Sequence, residues 1–94
     1  MERNIYKRVE GVVTRVIAGE MLLVPVSGDL ADMQNIFLVD QVGAFIWDSL
    51  DGIRSHRDVL QRVTGEFDVA EDRAGVDLDE FLGTLKQSGL IVEA

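Results

Sequence analysis

Near residue 35 the spacing of apolar side chains changes period, and that change divides the chain into two kinds of structure. Before it, apolar residues, many of them β-branched, cluster in short runs at residues 12–18 and 20–26. Short β-branched runs broken by turn residues are the signature of strands. After it, apolar residues return every three to four positions, the repeat of a helix with one buried face. A strand-rich first part followed by a helical second part implies an α+β domain, with helices gathered on one side of a small antiparallel sheet.

The first two runs read as a hairpin. Ala18, Gly19 and Glu20 lie between them, and glycine supplies the backbone angles of a tight turn. Pro25 has no N–H to give a ladder, so it belongs at a strand end or a sheet edge. Residues 27–35, with Gly28, Asp29, Asp32 and Asn35, form a loop. Ile36, Phe37, Leu38 and Val39 follow as a third, short strand. Residues 1–10 carry no clear element and read as an N-terminal stretch that can be flexible.

Three helices come next. Asp40 is the N-cap of the first, and Val42, Phe45, Ile46 and Leu50 share one face. Asp51 and Gly52 end it. The second begins at Ser55 with Asp58 three residues on, a capping-box spacing with Asp in place of Glu. Val59, Leu60 and Val63 form its apolar side, and Gly65 stops it. The third opens at Asp68, and Ala74, Leu78, Phe81, Leu82 and Leu85 make a long stripe that Gly89 caps. Leu90, Ile91 and Val92 form a short extended tail packed back on the domain.

Composition limits what such a domain can do. Ninety-four residues, 47% of them apolar, make one domain with a modest core. No apolar run approaches the roughly 20 residues that span a bilayer, and no signal-peptide core opens the chain, so a cytoplasmic protein is expected. With no cysteine, disulfides, thiolate metal sites and thiol nucleophiles are excluded. The net charge is −8, and residues 36–94, with five basic and twelve acidic side chains, hold −7 of it. Such a surface repels phosphates, which argues against nucleic acid and anionic membrane as partners.

Catalytic groups are scarce. His56 is the one histidine and reads as a surface residue at the start of the second helix. A zinc site would need three carboxylates beside it, a rare set. Asp77, Asp79 and Glu80 stand together on the third helix, where the irregular loop of a calcium site is absent. Glycines are dispersed and form no phosphate loop. The third helix carries five acids and two bases between Glu71 and Lys86. A DNA-reading helix needs the opposite balance. A binding surface remains, and four consecutive apolar residues at 36–39 could template another chain if their strand lies at an edge.

The order of these pieces resembles a known family. Residues 36–52, Ile-Phe-Leu-Val-Asp-Gln-Val-Gly-Ala-Phe-Ile-Trp-Asp-Ser-Leu-Asp-Gly, are similar to the core of the PqqD family. These are the pyrroloquinoline quinone (PQQ) biosynthesis protein D and its relatives, also called RiPP recognition elements. Leu22-Leu23-Val24-Pro25 resembles that family's second strand. Arg54-Ser55 with Asp58-Val59-Leu60 resembles its second helix, and Glu66-Phe67-Asp68-Val69 its inter-helix link. Asp77-Leu78-Asp79-Glu80-Phe81-Leu82, Leu85 and Ser88-Gly89-Leu90-Ile91 resemble its third helix and end. The match runs over roughly residues 20–92. Val39-Asp40 departs from the family's leucine-asparagine step, and the loop at 27–35 looks longer and more acidic than in the quinone-pathway members.

The resemblance implies a winged-helix-like fold, a small three-stranded antiparallel sheet followed by three helices. It implies a non-catalytic chaperone without cofactor or metal, which binds the leader of a ribosomally made precursor peptide by strand addition. The chaperone presents the leader to a radical SAM-type modifying enzyme. The implied groove is formed by Ile36, Phe37, Leu38 and Val39 on the strand and by Arg73, Asp77, Glu80 and Phe81 on the third helix. Two alternatives stay open: a protein-interaction module whose same edge pairs with a second copy, giving a homodimer, and a DNA-binding regulator, which the acidic helix disfavours.

Overall fold

The computed structural model describes residues 5–25 and 36–94, so the loop expected at 27–35 and the first four residues lie outside the described residues. The elements run β1 (Ile5–Arg8), β2 (Val12–Ile17), β3 (Glu20–Pro25), β4 (Phe37–Val39), α1 (Gln41–Ser49), β5 (Asp51–Ser55), α2 (His56–Glu66), α3 (Glu71–Gln87) and β6 (Ile91–Glu93). The α+β class expected from the change of period is what forms. The three strands of the expected sheet pair in the order β2-β3-β4.

The hairpin turns on two residues with positive φ, Ala18 at 54° and Gly19 at 82°. Two successive left-handed residues make the turn whose twist matches that of the flanking strands. Ile17 then faces Glu20, and pairing runs back to Val12 opposite Pro25. Met21, Leu23 and Val39 point to the core, where they are buried beside Ile46, Trp47, Leu78 and Leu85.

A second sheet, β5-β1-β6, has no counterpart in the sequence reading. The stretch read as a flexible N-terminus is its central strand from Ile5 to Arg8, antiparallel to both neighbours. The tail packs back as expected, and does so as the strand β6. Gly52 adopts the left-handed backbone expected of it, at φ 82°. It opens strand β5 where a plain helix stop was expected, and a Cβ there would lie 3.3 Å from Lys7 of β1.

Helix starts follow side-chain chemistry in two of three cases. The Asp40 carboxylate accepts from the Gly43 N–H at 2.8 Å. Ser55 and Asp58 form the reciprocal capping box, with bonds of 3.2 and 3.0 Å. Asp68 does not open the third helix. That helix starts at Glu71 with Ala70 at the N-cap and no side-chain cap. Phe67 and Val69 pack against the core on either side of Asp68, which holds the link extended until Ala70. Gly65 does not stop α2, which continues to Glu66.

Asp51 organises the start of β5. Its Oδ1 accepts from the N–H groups of Ile53 and Arg54 at 3.0 Å each, and its Oδ2 meets Arg54 Nη1 at 2.7 Å. The Arg54 N–H first, then the Ile53 N–H and the Arg54 guanidinium, hold its carboxyl below the usual 3.8. A carboxylate whose folded pKa is depressed adds stability above its unfolded pKa and loses it as pH falls through the folded value. Its contribution is therefore complete at neutral pH and disappears on the acid side of the ordinary carboxylate range. Asp51→Asn is expected to flatten the acid-side fall in melting temperature between about pH 5 and about pH 2. Melting curves across that range check this, and a slope equal to that of the parent would refute the assignment.

Candidate functional site

Strand β4 has β3 on one side and no strand on the other among the described residues. Its register decides which backbone groups are left over. Residues flanking a two-residue loop exchange both hydrogen bonds, and antiparallel pairs then alternate between bonded and non-bonded. From Ile17–Glu20, the bonded pairs toward β2 are those of Glu20, Leu22 and Val24. Pro25 accordingly faces Val12 in a non-bonded pair, where its missing N–H costs nothing. Met21 and Leu23 therefore bond toward β4, opposite Val39 and Phe37, and Leu22 faces Leu38 in a non-bonded pair. It follows that the N–H and C=O of Leu38 point outward, to the open edge.

Side chains on this strand alternate as the pleat requires. Val39 is buried and Phe37 packs on the core, whereas Leu38 is 62% exposed. Ile36, just before the strand, is 63% exposed. Leu38 and Leu22 lie side by side on the outer face, which also carries Val13 and Ile17, both exposed.

Beside the open edge lies a groove of about 760 Å³. Leu38 and Val39 form its strand wall, and Val42, Gly43 and Ile46 of α1 continue that wall. Ala74, Asp77, Leu78 and Phe81 of α3 form the facing wall, and Val63, Phe67 and Val69 close one end. The positions 74, 77, 78 and 81 follow the i, i+3, i+4, i+7 stripe of a helix. Gly43 permits the approach of the two walls: a Cβ there would sit 3.1 Å from the Val39 Cβ and 3.4 Å from the Phe81 ring.

Helix α1 is held by a side-chain clamp. Buried Ser49 donates to the Phe45 carbonyl at 2.9 Å and accepts from Arg62 Nε at 3.2 Å. The Arg62 guanidinium covers the Phe45 ring at 5.1 Å, and that ring meets Phe67 edge-on at 5.4 Å. The groove wall thus rests on a satisfied polar contact between α1 and α2 rather than on apolar packing alone.

The structure gathers four of the eight residues implied for the site around this groove: Leu38, Val39, Asp77 and Phe81. Ile36 and Phe37 belong to the adjoining edge without lining the groove. Arg73 and Glu80 are exposed on α3 and do not line it. Arg73 instead reaches back to Asp77 at 3.4 Å, one turn along the same helix. Val42, Ile46, Phe67, Asp68 and Val69 are groove residues that from sequence belong to the core or to a link, and Gly43 is a groove residue given no role there. Gly43, a glycine within a strong helical pattern, was the signal that something approaches closely there.

Elsewhere, His56 Nε2 meets Asp79 Oδ1 at 2.6 Å, tying the start of α2 to α3 beside Tyr6 and Lys86. Among the described residues no group of three or more His, Asp or Glu is placed to hold a metal, and no helix is long and apolar enough to cross a membrane.

The family model for coenzyme PQQ synthesis protein D (PqqD) matches residues 20–91. No curated protein matches the chain. Two solved structures share its fold. TbiB1 in complex with the TbiA(beta) leader peptide is 25% identical, with a TM-score of 0.72 over 90% of this chain and 93% of its own. A lasso peptide synthetase B1 complexed with the leader peptide is 20% identical, with a TM-score of 0.74 over 93% of this chain and 96% of its own.

Proposed function

The chain belongs to the PqqD family, and from that membership we propose that it is a non-catalytic recognition domain that captures the leader of a ribosomally made precursor peptide. The leader adds as an antiparallel strand beside β4, with alternate side chains directed into the groove between β4 and α3. The observation that carries this reading is the outward pair of backbone groups on Leu38, set directly against an apolar groove. Strand addition needs both parts, because main-chain bonds supply affinity and a flanking pocket supplies selection. The 25% identical TbiB1, which holds a leader peptide, supports it.

The roles follow from position. Leu38 offers its N–H and C=O to the guest, Val39 and Phe81 face the guest's anchor, and Ile36 and Phe37 set the edge on which it lies. Arg73 and Glu80 flank the helix wall, and Arg73 holds Asp77. In this reading the captured leader is handed to a separate modifying enzyme, of the radical SAM type that the sequence resemblance implies. An edge left empty is also free to pair with a second copy, so leader and self-association compete for one surface.

Hydrogen exchange tests this with synthetic leader segments from the short reading frames neighbouring the gene. A bound segment is expected to slow exchange at the Leu38 amide, leaving Met21 and Leu23, already bonded inward, unchanged. Binding that leaves the Leu38 amide unprotected would overturn strand addition, and so would failure of every segment to bind.

A further inference from the structure

The groove carries information about the charge of its guest. Four carboxylates stand on its rim, Glu20 at the hairpin, Asp40 at the start of α1, Asp68 in the link and Asp77 on α3, and among the described residues no Lys, Arg or His lines it. Two are already occupied: Asp40 caps its helix, and Asp77 meets Arg73. Glu20 and Asp68 meet no cation and accept no hydrogen bond among the described residues. Residues 36–94, which build most of the groove, carry −7. Carboxylates around an apolar cleft concentrate negative potential inside it, because low-dielectric walls do not screen the field as water does. An incoming acidic strand would be opposed there, and complementary charge both speeds encounter and selects the partner.

Resting on the reading of β4 as a peptide-binding edge, we propose that the guest is a cationic segment. It is an extended peptide with an apolar anchor in the groove and a lysine or arginine within two residues of that anchor. The register places the cation. The guest residue opposite Leu38 joins the outer apolar face, and the residues on either side of it look into the groove. The one opposite Val39 lies next to Asp40, and Glu20 adjoins Met21, the partner of Val39. A long basic side chain at or beside that position reaches the rim with its stem on apolar surface and its charge among the carboxylates.

The test uses a display library of randomised 12-residue peptides selected on the full chain. The strongest binder is then made with its cation kept, replaced by Gln, or replaced by Glu. Selected peptides are expected to carry Lys or Arg within two residues of an apolar side chain. The Gln version should bind about fivefold more weakly and the Glu version weaker still, the scale of one partly exposed charge pair. In a Glu20→Gln/Asp68→Asn protein with an unchanged melting temperature, the preference for the cation over Gln should shrink at least twofold. Equal binding of the cationic and Gln peptides, or selection of acidic ones, overturns the charge assignment. If those peptides still lose affinity to Leu38→Pro, the edge-strand reading survives that failure. Peptides insensitive to Leu38→Pro overturn the reading itself, and the charge assignment with it.

Discussion

A Leu38→Pro protein is expected to fold and, on the proposed function, to lose at least tenfold of its affinity for a leader peptide. Proline removes one N–H and fixes φ near −65°. In most strands that breaks a ladder, but the Leu38 N–H points away from β3, so no intramolecular bond is lost. The residue before a proline is driven to extended backbone, which Phe37 already has as a β4 residue. For the guest the effect is different. It loses a donor worth about 0.5–1.5 kcal/mol and leaves its own carbonyl unpaired beside the ring, at a further cost of about 1–3 kcal/mol. Together these reach about 1.5–4.5 kcal/mol, or roughly ten- to two-thousandfold in affinity. Phe37→Pro is the contrasting case, since Phe37 lies in a bonded pair with Leu23 and its loss should lower the melting temperature. Isothermal titration with the peptide, alongside a melting curve, reads both effects. Unchanged affinity in a folded Leu38→Pro protein would remove β4 as the docking strand.

The largest effect on stability is expected at Leu78. It is 0% exposed, at the centre of α3, and it forms the floor of the groove. Truncating a buried leucine to alanine costs about 2.7–5 kcal/mol, more where neighbours cannot close the space. Leu78 belongs to one buried cluster with Leu23 of β3 and Val59 of α2, each held by its own element. A domain of this size has about 5–15 kcal/mol in total, and each kcal/mol moves its melting temperature by about 4–8 °C. Leu78→Ala should therefore lower the melting temperature by more than ten degrees. Val76→Ala, two residues away but 56% exposed, should change it by a degree or two. Similar shifts for both would mean that the floor of the groove is not part of the core.

Much of this was legible in the chain because it rests on local chemistry. The hairpin follows from Gly19 between two β-branched runs, the start of α1 from Asp40, and the start of α2 from Ser55 and Asp58. The second sheet was not legible, because its strands find one another only in three dimensions. Ile5–Arg8 is half charged and shows no apolar run, and its partners lie at 51–55 and 91–93. The start of α3 was misplaced for a related reason: Asp68 is a good local cap, but Phe67 and Val69 are held by the core. On the site, the edge strand was visible as four apolar residues. The helix wall was only half visible, since Arg73 and Glu80 lie off the stripe of Ala74, Asp77, Leu78 and Phe81. The apolar members of that stripe have the spacing of an ordinary core face, so a groove wall is not distinguished by its pattern.

The two sheets also differ in when they can form. The strands β2, β3 and β4 are consecutive in the chain, so each pairs with the one before it. β1 must instead find β5 and β6, and the Ala94 N–H donates to the Ile5 carbonyl at 2.9 Å. Contacts between distant segments are slow to make, because the entropy of the intervening chain is lost before any bond is gained. During synthesis, Ile5–Arg8 emerges first among the described residues and waits for nearly all the rest before it has both partners. The open edge of β4 belongs to the early-forming part of the molecule, and β1, which joins β5 to β6, to the last.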